Sequence, residues 1–377
     1  MTAVLTPTVL LAPVTVTPTK PLGPSHLKGL LWTDVMFRAT RVRTGAAYRY
    51  SPTTYHTCEQ TSGFWEYLDR TVGDTDYSGC SEEEIGELYV AYRAEARRAP
   101  FAACLPYVEA VERHGWVHPA SARVLELWAG HYRALGMHDP GLTADQPPGL
   151  DLDAAVDRLS AVDMCLDLRE HGGPVYLDAT RYGLALRRIV AEDGRPNYLA
   201  CALRELVALA GEHDEVVLLY DAGLEADYLL LHRVLDRLGT TVRRVALGRV
   251  PIDGRITSAR HGDWRGHTVG AILATLGQDH DQAALRLGLR LYFIAVLGQG
   301  AGDEFRWDVL RRSVRRAERL LAHGTEPGAE PDPTPLAEVL DRHRGDHGYV
   351  DPYRLAAGLL VRHGPGPSPE LLAEVFT

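Results

Sequence analysis

Pro18-Thr-Lys20-Pro-Leu-Gly23-Pro-Ser-His26-Leu-Lys28-Gly29 is the stretch on which the reading of this chain turns. Upstream, the apolar, β-branched run from Val9 to Val16 reads as a buried strand, ended by Thr17-Pro18. Downstream, Leu27, Leu30, Leu31, Val35 and Met36 recur at helical spacing and predict a helix over about His26 to Arg43. A strand, a tight Gly/Pro turn and a helix whose first N–H groups face the strand end form the opening of a nucleotide-binding α/β fold. Charged and polar groups at the turn (Lys20, Ser25 and His26) complete that pattern.

The chain has 377 residues, 45% hydrophobic and 24% charged, enough for one catalytic domain with an insertion and a helical tail. Its net charge of −10 argues against a strongly basic nucleic-acid surface. The N-terminal stretch has no positive n-region, and prolines interrupt its apolar run, so it is expected to be neither a signal peptide nor a membrane span. Five scattered cysteines without a Cys-x-x-Cys pair suit a reduced cytoplasm and give no metal motif; His56, Cys58 and Cys80 read as buried groups and a pocket histidine. Of 40 basic residues only Lys20 and Lys28 are lysines. Arginine in place of lysine is the mark of a GC-rich, bacterial coding sequence, which makes the two remaining lysines, eight residues apart, worth explaining.

Working outward, residues 1–80 read as the first half of the core and 81–200 as a mainly helical insertion. Ser81 followed by three glutamates is a helix start. Residues 201–265 read as the second half of the core, with strands at Val216–Tyr220 and near Thr241–Leu247 joined by a helix of about a dozen residues. A helical segment over 266–323, a Pro/Gly/Glu-rich linker over 324–335 and a short helical tail over 336–377 complete the chain. The fold class is α/β, with a Rossmann-like parallel sheet, a helical insertion and a helical C-terminal segment.

Gly23-Pro-Ser-His26 with Gly29 resembles the His-x-Gly-His signature of class I aminoacyl-tRNA synthetases, with the first histidine replaced and Ser25 as a small substitute for glycine. Asp34-Val35, Arg38 and Gly45 fall where these synthetases have Asp-Val, Arg and Gly. Asp227-x4-His232 is similar to the ribose-holding pair of methionyl-type members. Gly254-Arg-Ile-Thr-Ser258-Ala-Arg260-His-Gly262-Asp263 lies where the mobile lysine-rich loop would be, with both lysines missing. Pro-Thr-Lys20-Pro-Leu resembles arginyl-type enzymes, in which an upstream lysine stands in for a missing loop lysine. The resemblance implies a methionyl/arginyl-type core without an anticodon-binding domain. It implies catalytic roles for Lys20, His26, Ser258 and Arg260. Gly23, Ser25, Gly29, Asp227 and His232 would contact ATP, with Mg2+ as its companion, and Asp34, Tyr55 and His56 would lie near the amino acid. Lys28, two residues past His26, is rotated about 200° from the signature face and is expected on the helix surface.

These features favour an ATP-dependent, aminoacyl-adenylate-forming ligase of specialised metabolism. Its partners would be an amino acid and an amine-type acceptor, with tRNA and membranes not expected and a partner enzyme of the same pathway envisaged. Two readings of other classes stay open: a transferase that uses charged tRNA without ATP, and a non-catalytic partner subunit that keeps the fold for binding.

Overall fold

In the computed structural model, residues 8–13, 15–50, 52–256, 262, 264–300, 303–323, 334–361 and 366–377 are described. Four strands form a parallel sheet: β1 (Thr8–Pro13), β2 (Gly45–Tyr48), β6 (Glu215–Asp221) and β7 (Thr241–Leu247), in the order β2-β1-β6-β7. The helix α1 (Pro24–Arg43) carries the chain from β1 to β2. Strand residues alternate between two apolar layers. Val9, Leu11, Val217 and Leu219 face one core, and Leu10, Val216 and Leu218 face the other. Burial on both faces is why these strands read as continuous apolar runs.

Between the halves of the sheet lie α2 (Pro52–His56), α3 (Phe64–Thr71), α4 (Glu82–Ala94), α5 (Phe101–His114), α6 (Pro119–Leu135) and α7 (Leu152–Ala161). The capping box at Ser81 forms: its hydroxyl accepts from the Glu84 N–H at 3.2 Å, and Glu84 returns a bond to the Ser81 N–H at 2.8 Å. The insertion also holds a small antiparallel sheet, β3 (Cys165–Asp167), β4 (Val175–Leu177) and β5 (Arg187–Val190), which the sequence reading did not anticipate. Strands of three or four residues are too short to show an alternating pattern.

Helix α8 (Tyr198–Ala210) then leads into β6, and α9 (Glu225–Arg237) links β6 to β7. The helical segment is α10 (Val269–Leu276), α11 (Gln282–Arg290) and α12 (Trp307–His323). The tail forms α13 (Leu336–Arg342), α14 (Pro352–Gly358) and α15 (Pro369–Leu371). It folds back onto α1, with an Arg43–Asp341 ion pair at 2.6 Å and a Val350 N–H to Thr40 Oγ1 bond at 3.0 Å. No helix among the described residues is long and apolar enough to cross a membrane.

Candidate active site

β1 leaves the sheet through α1 toward β2, whereas β6 leaves through α9 toward β7, so the strand order reverses between β1 and β6. Ligands of open α/β sheets sit outside the strand C-termini at such a point. A cavity of about 200 Å³ occupies it, lined by the ends of β1, β6 and β7 and the first turns of α1.

The N-terminus of α1 is built without a side-chain cap at its first position. Gly23 has none to offer, and its N–H donates to Nδ1 of His26 at 3.2 Å. With Nδ1 accepting, the neutral imidazole carries its proton on Nε2. Burial, together with the positive charges of Lys20 and Arg249, pushes His26 down to about 3. The ring is therefore an uncharged hydrogen-bond donor. Ser25 does more than replace a glycine: its hydroxyl accepts from the Val250 N–H at 3.0 Å and ties α1 to the segment after β7. Gly29, one turn further, lines the cavity, and an added Cβ there would meet nothing within 4 Å.

Lys20 lies on the turn, 3.4 Å from Thr17 Oγ1 and 5.2 Å above the Tyr89 ring of α4, and lines the cavity. Two further cations join it that the sequence reading passed over, Arg249 and Arg255. Arg249 pairs through Nε with Asp221 Oδ2 at the last position of β6. Asp221 also takes the Gly223 N–H on Oδ1 at 2.8 Å. Arg255 is brought back over the cavity by Asp253-Gly254, whose φ angles of +51° and +70° make a two-residue reversal closed by Ile252–Arg255 backbone bonds at 3.0 Å. That Asp-Gly pair was the available sequence signal. Trp264 closes another wall. It packs so closely on Gly86 of α4 that a Cβ at Gly86 would stand 2.8 Å from the indole and 2.5 Å from Pro21.

A second, smaller pocket of about 30 Å³ shares Pro13 with the first. Thr15, Arg49, Tyr55, Glu205 and Tyr228 supply its polar lining. Arg49 and Glu205 stand 2.8 Å apart, yet burial outweighs the pairing and pushes the Glu205 carboxyl up to about 7.

The remaining sequence candidates fall elsewhere. Asp227 does not line the cavity; it pairs with Arg187 of β5 at 2.9 Å and accepts from the Tyr198 hydroxyl. His232 also lies outside it, and its Nδ1 has no hydrogen-bond partner among the described residues. Asp34 is buried in an ion pair with Arg290 at 2.6 Å and accepts from the His138 N–H, which makes it a structural carboxylate. Tyr55 reaches the second pocket, but His56 packs against Trp65 at 4.7 Å, and neither ring nitrogen has a hydrogen-bond partner among the described residues. The Cys58 thiol donates to the Tyr55 carbonyl at 2.9 Å. Ser258 and Arg260 lie outside the described residues. Lys28 is buried rather than on the helix surface: its ammonium donates to the carbonyls of Gly248 and Gly300 at 3.0 Å and of Gln299 at 3.5 Å.

No protein-family model matches the chain, and no curated protein sequence matches it. Solved structures do. The arginyl-tRNA synthetase of Thermus thermophilus is similar at a TM-score of 0.60 and 16% identity, over 98% of this chain and 78% of that one. A Campylobacter jejuni protein described as an arginyl-tRNA synthetase is similar at 0.54 and 16%, over 85% and 70%. Mycobacterium tuberculosis methionyl-tRNA synthetase, solved with methionyl-adenylate, is similar at 0.52 and 12%, over 98% and 82%. At such identities the likeness concerns architecture, and on that level it is plain: the chain has the class I aminoacyl-tRNA-synthetase fold.

Proposed function

We propose that this protein is an ATP-dependent amino-acid-activating ligase, which forms an aminoacyl-adenylate and passes the acyl group to an amine-type acceptor in specialised metabolism. The observation that carries the reading is the convergence of Lys20, Arg249 and Arg255 with a helix N-terminus, a neutral imidazole donor and one carboxylate on the cavity at the strand switch point. Cations and oriented N–H groups suit a polyphosphate, the carboxylate of Asp221 suits sugar hydroxyls, and the apolar wall of Leu30, Val250, Ile252 and Trp264 suits a base. Asp221 thus takes the role first assigned to Asp227.

In the first step a substrate carboxylate oxygen attacks the α-phosphorus of ATP and pyrophosphate leaves. In the second, the acceptor nitrogen attacks the acyl carbon, AMP leaves and the amine proton is released. Lys20, Arg249 and Arg255 stabilise the negative charge that gathers on the leaving pyrophosphate, while Nε2–H of His26 donates to a phosphate oxygen. Mg2+ would arrive with ATP as part of the substrate. The amino acid would take the second pocket, which shares Pro13 with the first and has Tyr55 in its lining. A cytoplasmic setting suits both ATP and the free thiols.

Pyrophosphate release measured across a panel of amino acids tests the reading, with ATP and tRNA binding followed by calorimetry. Amino-acid-dependent release supports it. Binding of tRNA without ATP would transfer support to the transferase, and binding of neither to the non-catalytic subunit.

A further inference from the structure

We infer that Lys28 is a positioning residue for the anion clamp, its ammonium holding the end of β7 and the 299–300 loop so that Arg249 stands over the cavity. The inference rests on the nucleotide reading of that cavity and extends it to a residue that does not line it.

Lys28 is 1% exposed, and its three N–H donors meet three backbone carbonyls on two segments. Among the described residues no carboxylate forms a hydrogen bond or ion pair with it; the longer-range charge of Asp303 opposes the effect of burial. Burial brings the group down to about 8, so it is still charged at neutral pH. A buried cation whose direct partners among the described residues are carbonyls is costly unless its geometry is needed. The geometry here is that of a tripod. An ammonium can point three donors at acceptors gathered around one point, whereas a planar guanidinium cannot. This gives a physical reason for a lysine in a chain whose other basic residues, Lys20 apart, are arginines.

The consequence for the site runs through Gly248, which sits immediately before Arg249. Its carbonyl is held by Lys28 at 3.0 Å and its N–H by the Gln299 carbonyl at 2.7 Å. Two residues on, the Val250 N–H is held by Ser25. The backbone that presents Arg249 is thus fixed from both sides, on one by Lys28 and on the other by the turn that carries His26. Loss of Lys28 leaves the first side held by the Gln299 bond alone, and Arg249 then pays an ordering cost on meeting a phosphate.

The test is calorimetric titration of the full chain with two probes, inorganic pyrophosphate and adenosine, on wild type, Lys28→Met, Arg249→Met and the double variant. Lys28→Met is expected to weaken pyrophosphate binding about tenfold, the scale of one charged hydrogen bond, and to leave adenosine unchanged. The double variant is expected to bind pyrophosphate no more weakly than Arg249→Met alone, because Lys28 acts through Arg249. Equal weakening of both probes by Lys28→Met, or additive losses in the double variant, overturns the inference. If Lys28→Met does not fold, Lys28→Arg carries the test: it keeps the charge and loses the tripod, and wild-type pyrophosphate affinity in it overturns the inference. A folded wild type that binds neither probe overturns the nucleotide reading as well, and is recognised before any variant is compared.

Discussion

Asp221→Asn separates the two halves of the proposed nucleotide site, because it is expected to move two probes in opposite directions. Asparagine is nearly isosteric and keeps an oxygen for the Gly223 N–H, which Asp221 Oδ1 now accepts at 2.8 Å, so the turn between β6 and α9 survives. What is lost is one negative charge, paired with Arg249. A carboxylate ~8 Å from a phosphate opposes it by about 2 kcal/mol per unit charge at an effective dielectric of ~20. The side chains of Arg249 and Asp221 are 36% and 22% exposed, so solvent and salt remove roughly half of that. About 1 kcal/mol remains, and Arg249 is released at the same time, so pyrophosphate should bind roughly fivefold to tenfold more tightly. Adenosine should bind about fivefold more weakly, since a neutral amide replaces a charged acceptor for the sugar hydroxyls. Calorimetry on both ligands at ~0.1 M salt, near the regime where screening is moderate, gives the answer. Weakening of both probes together would make Asp221 scaffolding, and unchanged adenosine affinity would remove it from sugar recognition.

Three further expectations follow from the same geometry. Lys20→Ala should lower amino-acid-dependent pyrophosphate release by about 10²-fold or more, the scale for one preorganised donor, and Lys20→Arg should restore only part; full activity in Lys20→Ala would remove the lysine from the mechanism. Arg290→Leu leaves the buried Asp34 carboxylate without its partner at 2.6 Å and should cost about 3–5 kcal/mol in denaturant unfolding; an unchanged midpoint would contradict the structural role given to Asp34. The Glu205 carboxyl, raised from its ordinary 4.5 to about 7, binds its proton more tightly folded than unfolded. Its contribution to stability is therefore complete below about 4.5 and is lost as pH rises to about 7. Urea melts across that window should show a decline in wild type that Glu205→Gln flattens, and identical slopes would refute it.

The parts of the fold that were legible in the sequence are those set by local chemistry. The apolar runs of β1, β6 and β7, the Gly/Pro turn before α1 and the Ser81 capping box all announce themselves over a few residues. The site was legible only where it is built from that turn: Lys20, Gly23, Ser25, His26 and Gly29 all line the cavity. Arg249 was hidden because an arginine in an arginine-rich chain carries no local mark, and Arg255 was marked only by the Asp253-Gly254 turn before it. Asp227 illustrates a different limit. An Asp-x4-His spacing at the head of a helix does not say whether its carboxylate meets the strand ends or the neighbouring insertion, and Arg187 and Tyr198 claim it for the insertion.

Lys28 shows how far apart the two kinds of information lie. Helical geometry correctly turned it away from the signature face, and the surface was the natural place to put it. Its partners, however, are 220 and 272 residues away in sequence, on a strand end and a loop that helix periodicity cannot see. The two lysines then make one arrangement: Lys20 lies on the wall of the cavity, and Lys28 stands behind the segment that presents Arg249 to it. Under the proposed function a compact ammonium would do what an arginine fork does not in both places, as a point charge for polyphosphate in the first and as a tripod for carbonyls in the second. On that reading the shape of the group at each position explains why these two residues are lysines, and the same argument predicts that arginine replaces neither of them fully.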